Sequence, residues 1–333
     1  MTIKQSLMSI LILTIGSLLM AYSVNADEET SFYVMPVLPQ NQLPSTSEYF
    51  HLQTDQDINQ QIEVMIINDS DEDKTFHLSV LDGMTTDLGD ISYDTQHEYD
   101  KSQKIKLSQQ IDVEELHTIK AKESGNVELQ LAVAVGDFSG QLLGAINVYE
   151  QTKGNDNPTG VVNQFAYNIP IKIDVKTSQI TAKLVYDGLK VTNNGTKSEL
   201  TAGFINPTST IIRDLSLTYK LSTKQDKKLI VEQHNNKLEV APNSNFHPSI
   251  LIGSKALKAG KYRIEILAVS EISGINETWQ EDFTITGRES RALNEGLIVE
   301  QTGVPWYILA SLIVIGIVIL GYGYKRHRGK RML

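Results

Sequence analysis

The sequence predicts an all-β protein: two immunoglobulin-like antiparallel β-sandwich domains in tandem, plus one C-terminal transmembrane helix. Three observations carry this reading. Apolar and polar residues alternate with period two along most of the chain, runs of Asn, Asp, Gly and Ser break the alternating segments, and a long uncharged stretch stands near the end.

Taken in order, residues 1–26 read as a secretory signal peptide, with Lys4 as its basic start and an apolar stretch from Leu7 to Met20. Val24 and Ala26 suit the positions three and one before a cut, so cleavage is expected between Ala26 and Asp27. The first sandwich is expected over 27–152. In VELQLAVAV, Val127, Leu129, Leu131, Val133 and Val135 share one face, with Glu128 and Gln130 opposite. QQIEVMII and TFHLSVL repeat the pattern, and only a short stretch near EELHTIKAK suits a helix. The segment QTKGNDNPTG has no aliphatic side chain, which places a linker at 153–160.

The second sandwich is expected over 161–287, with strands at IPIKIDV, DLSLTYKL, YRIEILAV and DFTIT. A polar stalk with a helical turn or two follows at 288–304. A transmembrane helix is expected over 305–324, because the nineteen residues from Trp306 to Tyr324 carry no formal charge and such a helix spans roughly 30 Å. Lys325, Arg326, Arg328, Lys330 and Arg331 then mark 325–333 as a cytoplasmic tail. The expected localisation is the cell membrane, single-pass, with the N-terminal body extracellular.

Setting aside Lys4 and the five basic tail residues leaves 24 basic against 40 acidic side chains, a balance of −16 in the exported part. Such a surface argues against nucleic acid and anionic lipid as ligands. There is no cysteine, which excludes disulfide scaffolds, thiolate metal sites and cysteine nucleophiles. The seven histidines show no H-E-x-x-H pattern, no serine stands in G-x-S-x-G, and none precedes Lys by three. NDSDEDK opens like a calcium loop, but Lys74 stands where the turn glycine belongs and Val80 where the bidentate Glu belongs, so it reads as an acidic hairpin turn. Trp279 reads as packing of the second core. The chain is therefore expected to be no enzyme, with no metal and no cofactor.

Several pieces together resemble the WxL-interacting proteins of Gram-positive bacteria. FYVMPVLPQNQ, YFHLQTDQDINQQIEVMIIN, TTDLGDISYD and GDFSGQLLGAINV match in the first half; NQFAYNIPIKI, FINPTSTIIRDL, VAPNSNFHPSI, LKAGKYRIEI and RALNEG match in the second. The usual Gly-Gly-Ile is here Gly144-Ala145-Ile146. The resemblance implies a peptidoglycan-binding domain followed by a partner- or host-binding domain. Its implied partners are peptidoglycan, secreted WxL-domain proteins, host extracellular matrix, and the membrane through the C-terminal helix.

Sugar recognition needs aromatic faces together with carboxylates or amides, which singles out Tyr49, Asp87, Asp90 and Tyr93 for peptidoglycan. In VAPNSNF, Pro242 and the two Asn suit a structural corner; read instead as a contact loop, it makes Asn243, Ser244 and Phe246 the partner-binding residues. A different reading is an envelope assembly factor or chaperone that acts on exported subunits by β-strand augmentation.

Overall fold

The computed structural model describes residues 31–94, 99–151, 165–176, 180–193, 198–252 and 257–295. Its chain forms two compact units. The first comprises the residues up to Leu81, Leu107–Gly136 and Gly144–Ile173; the second comprises Asp82–Lys106, Asp137–Leu143 and the chain from Asp174 on.

The first unit is built on strands β1 (Phe32–Val37), β2 (Phe50–Thr54), β3 (Ile58–Asn68), β4 (Lys74–Thr85), β6 (Ile111–Val113), β7 (Leu116–Ile119), β8 (Ser124–Val133), β9 (Gly140–Glu150) and β10 (Ala166–Val175). One sheet has the order β1-β3-β8-β6; the other runs β2-β10-β9-β4, ending on β5 (Ile91–Tyr93), with β7 also on β4. The alternating faces do as their pattern requires: Ile62, Val64 and Ile66 of β3, Val127, Leu129 and Leu131 of β8, and Phe76 and Leu78 of β4 are all buried. Each such side chain contributes about 1.5–3 kcal/mol by leaving water. Phe32 of β1 meets Phe76 at 4.9 Å between ring centres, which knits the two sheets face to face.

One expectation changes here. EELHTIKAK, the one stretch suited to a helix, contains strand β7, and its Leu116, His117, Thr118 and Ile119 pair with His77, Phe76, Thr75 and Lys74. IPIKIDV is a strand, as expected, and its strand β10 pairs between β2 and β9. Alternation shows that a strand has one buried face but not which sheet receives it. The expected linker at 153–160 lies outside the described residues, as does the signal peptide with Ala26 and Asp27.

In the second unit one sheet holds β11 (Val185–Asn193), β12 (Ser198–Asn206), β15 (Ser244–Phe246) and β16 (Ser249–Ile250). The other has the order β14-β13-β17-β18, made of β14 (Leu229–Val240), β13 (Ile212–Thr223), β17 (Gly260–Ser270) and β18 (Ile275–Ile285). Their common core includes Phe204, Leu217, Tyr219, Phe246, Ile264 and Ile266. The helix α1 (Gly287–Asn294) closes one end. Thr286 caps it: its side chain accepts from Glu289 N, while Thr286 N donates to Glu289 Oε2 at 2.7 Å. Leu293 enters the core, and Asn294 binds both backbone groups of Leu257 at 2.9 Å.

The expected membrane localisation is corrected. Among the described residues no helix is long and apolar enough to cross a membrane. The helix described in the stalk, α1, has eight residues, and the segment 305–324 lies outside the described residues.

Each unit is fastened by a buried asparagine at a strand end. Asn68 donates to the carbonyls of Glu72, Ile119 and Lys120 at 2.8–3.1 Å and accepts from the N–H and hydroxyl of Ser70. Asn206 donates to Thr210 O and Ala241 O at 2.8 and 2.9 Å and accepts from the N–H and hydroxyl of Thr208. Replacing either by alanine strands several buried polar groups, so Asn68→Ala and Asn206→Ala are each expected to cost about 2–4 kcal/mol in denaturant unfolding. Tyr219 presents the opposite case. Its hydroxyl is buried without a partner among the described residues, and burial pushes its pKa well above the ordinary value. Tyr219→Phe is therefore expected to leave stability unchanged or raise it by about 1 kcal/mol; a loss of that size would show a missed partner.

Candidate functional site

The strand register of the first unit composes a polar surface that no single strand carries. On the solvent side of the β1-β3-β8-β6 sheet, Gln61 stands opposite Gln130, and Gln130 opposite Asp112. The next row sets Val37 against Glu63 and Glu63 against Glu128. Beyond it Met35, Met65 and Asn126 form a third row, and Tyr33, Ile67 and Ser124 a fourth. The face thus grades from an acid-and-amide field into an apolar platform, on which Tyr33 and Met35 are 45 % and 41 % exposed.

Two diagonal hydrogen bonds order the polar field. Asn126 Nδ2 donates to Glu63 Oε2 at 3.0 Å, and Gln130 Nε2 donates to Asn59 Oδ1 at 2.8 Å. Like charges directly opposite each other in a sheet are destabilising, yet Glu63 faces Glu128. Among the described residues no cation lies within 4 Å of Glu63, Asp112, Glu114 or Glu128. A shallow groove of about 280 Å³ runs here, lined by Gln61, Asp112, Val113, Glu114, Glu128, Leu129 and Gln130. Chemically it offers carboxylate acceptors to hydroxyl or ammonium donors and amides to either kind of partner. Among the described residues no group of three or more His, Asp and Glu could hold a metal ion.

The residues singled out from sequence are dispersed. Tyr49 lies in the first unit on a loop organised by Gln42, whose side chain donates to Thr46 O and Tyr49 O and accepts from His51 N; the Tyr49 ring stacks on His51 at 6.2 Å. Asp87, Asp90 and Tyr93 belong to the second unit. There Asp87 is exposed but its Oδ1 accepts from His247 N at 2.7 Å, Asp90 O accepts from Thr86 N, and Tyr93 pairs with Gly83.

Asn243, Ser244 and Phe246 are 7 %, 5 % and 1 % exposed, so none presents a contact surface. They support a corner. Asn243 takes a left-handed φ of 53° and donates to Ser102 Oγ at 3.0 Å; Ser244 Oγ meets Thr85 Oγ1 at 2.5 Å; Thr85 Oγ1 accepts from Ala241 N. Gly89 closes the same corner, its carbonyl accepting from Glu239 N at 2.8 Å. Its φ is 84°, and a Cβ there would come within 2.6 Å of Leu238, so glycine is required. The groove residues were missed because the outward positions of a half-buried strand look like ordinary solvent-facing residues. The signal lies across strands, in Glu63 opposite Glu128, and needs the register to be seen.

Three comparisons bear on the chain. A family model described as "WxL Interacting Protein, peptidoglycan binding domain" matches residues 32–150, and one described as "WxL Interacting Protein, host binding domain" matches 156–295. No curated protein matches the chain. Among solved structures, the CsuC–CsuE chaperone-tip adhesion subunit complex of Acinetobacter baumannii is 17 % identical, with 75 % of this chain and 98 % of that chain covered and a TM-score of 0.35. A chaperone-tip adhesin complex of CFA/I fimbriae is 10 % identical, covering 77 % and 98 %, with a TM-score of 0.34. The SafB chaperone with SafA pilin from Salmonella enterica is 10 % identical, covering 78 % and 99 %, with a TM-score of 0.29. Likenesses at this level support no statement about the chain's partners. The two family models, in the order expected from the sequence and together spanning most of the chain, show that it belongs to the WxL-interacting protein family.

Proposed function

We propose that this chain is a non-catalytic binding protein of the cell envelope. Its immunoglobulin-like first sandwich takes peptidoglycan on the open face of the β1-β3-β8-β6 sheet, and its second takes a polypeptide, either a secreted WxL-domain protein or a host surface component. The observation that carries the first half is the field of Gln61, Glu63, Asp112, Glu128 and Gln130, without a cation nearby among the described residues, beside the apolar platform and within the span of the peptidoglycan-binding family model. Glycan strands present hydroxyl donors, N-acetyl amides and apolar ring faces. Carboxylates accept the first, glutamine amides match the second, and Tyr33, Met35 and Met65 suit the third.

Tyr49, Asp87, Asp90 and Tyr93 form the rival set for the same ligand. Asn243, Ser244 and Phe246 would serve partner binding only by holding their corner in shape. No specific observation favours strand augmentation; edge strand β18 carries Glu277 and Glu281 in core-facing register, a known guard against added strands.

Co-sedimentation of the full chain with purified sacculi tests the reading. A Glu128→Ala/Gln130→Ala double variant is expected to bind about tenfold more weakly, while Asp87→Ala/Asp90→Ala binds like the wild type. Sedimentation of the first variant at the wild-type level would sink the sheet-face site, and loss in the second alone would move the site to the rival set.

A further inference from the structure

The second unit has an open side where edge strands of its two sheets meet. β11 ends one sheet and β18 ends the other. They are joined there by side chains: Tyr186 Oη donates to Glu281 Oε2 at 2.7 Å, and the Tyr186 and Trp279 rings stand 5.8 Å apart, both near buried Phe204.

The pairing of β18 with β17 fixes which side chains face inward. Tyr262, Ile264, Ile266 and Ala268, all buried, stand opposite Phe283, Glu281, Trp279 and Glu277. Two carboxylates therefore share the strand face of Ile275, Trp279, Phe283 and Ile285: Glu281 is half-buried there, and Glu277, nearer the open end, is exposed. A carboxylate drawn toward a core costs free energy unless a cation or several donors meet it. On the solvent face of the same sheet the carboxylates do have cations: Asp282 is held by Arg263 at 2.6 Å and Lys224 at 2.9 Å, and Glu232 by Lys220 at 3.3 Å. Among the described residues Glu281 has only the neutral Tyr186 hydroxyl, and no cation lies within 4 Å of Glu277 or Glu281.

The seam also has room. At Gly188 the pairing of β11 with β12 shifts register, φ is 93°, and a Cβ added there would meet nothing nearer than Glu281 Oε2 at 4.0 Å. Half-buried Tyr186 and Trp279 flank this space. Carboxylate charge and aromatic faces together suit one class of group, an ammonium or guanidinium on a flexible stem.

We propose that the seam between β11 and β18 receives a lysine or arginine side chain of a polypeptide partner, with Glu281 and Glu277 as its counter-charges and Tyr186 and Trp279 as its walls. This rests on the reading of the second unit as the polypeptide-binding one. Burial first, then the hydrogen bond to Glu281 and its charge, push the Tyr186 hydroxyl above its ordinary pKa, in keeping with its role as the donor to Glu281. The acidic balance of the exported chain adds long-range attraction for a basic segment.

The test uses the full chain with Trp306→Phe, which leaves Trp279 as the only tryptophan. A capped Gly-Lys-Gly-Lys-Gly peptide is titrated against its fluorescence, beside the same peptide with acetylated lysines. Saturable binding of the first peptide only is expected, weakened about tenfold by Glu281→Gln and about threefold by Glu277→Gln. Tyr186→Phe, which frees Glu281, should bind at least as tightly as the parent. Equal binding of the acetylated peptide, or unchanged affinity in Glu281→Gln, overturns the site. So does dimerisation of that variant with peptide binding intact, which would make the carboxylates edge guards only. A parallel pull-down with a secreted Trp-x-Leu protein separates the two levels. Capture that survives Glu281→Gln sinks the seam alone, whereas a parent chain that captures neither this protein nor a host extracellular-matrix protein sinks the polypeptide-binding reading and the seam with it.

Discussion

Each unit depends on an asparagine buried where a strand ends. A sandwich must turn its chain at the rim, and there backbone groups leave the ladder without partners while still shielded from water. Asn68 and Asn206 meet that need in the same way. The amide nitrogen takes carbonyls from separate segments, and the oxygen holds the N–H and hydroxyl of the Ser or Thr two residues on. Asn68 thereby ties the β3–β4 turn to the end of β7, and Asn206 ties the end of β12 to the chain beside Ala241. Without these bonds the cores beneath would have an unsatisfied rim.

Above that frame, the chemistry of both candidate surfaces is set by pairing register. A shift of one residue between β3 and β8 would carry Glu63 and Gln61 to the core and Ile62 and Val64 to solvent. The buried aliphatic set forbids it, so the polar rows on the outer face are held as firmly as the core itself. The same reasoning on β18 runs the other way. There the register that buries Ile275 and Ile285 puts Glu277 and Glu281 on the same strand face, where Glu281 is half-buried and Glu277 stays exposed because the strand lies at an open edge.

Much of the fold was legible in the chain. Segments with clean alternation, such as VELQLAVAV, YRIEILAV and IPIKIDV, are strands with the anticipated residues buried. The acidic NDSDEDK is a turn between β3 and β4, and RALN falls in a short helix. EELHTIKAK misled because a four-residue strand is too short to display a period. The candidate site was less legible. Tyr49, Asp87, Asp90 and Tyr93 stand out by residue type alone, and the structure shares them between two units; for Asn243, Ser244 and Phe246 the sequence suits a corner or a contact loop, and they are buried in a corner.

The all-β class, the strand positions, the acidic character and the family are written in the amino-acid order, because alternation, turn residues and charge are local properties of the chain. Only the tertiary structure decided which sheet receives β10, that 82–106 and 137–143 cluster with the second unit, and which polar residues stand side by side. Those are matters of register between strands tens of residues apart. A half-buried strand states that it has an inside and an outside; the neighbour across the ladder decides what its outside can bind.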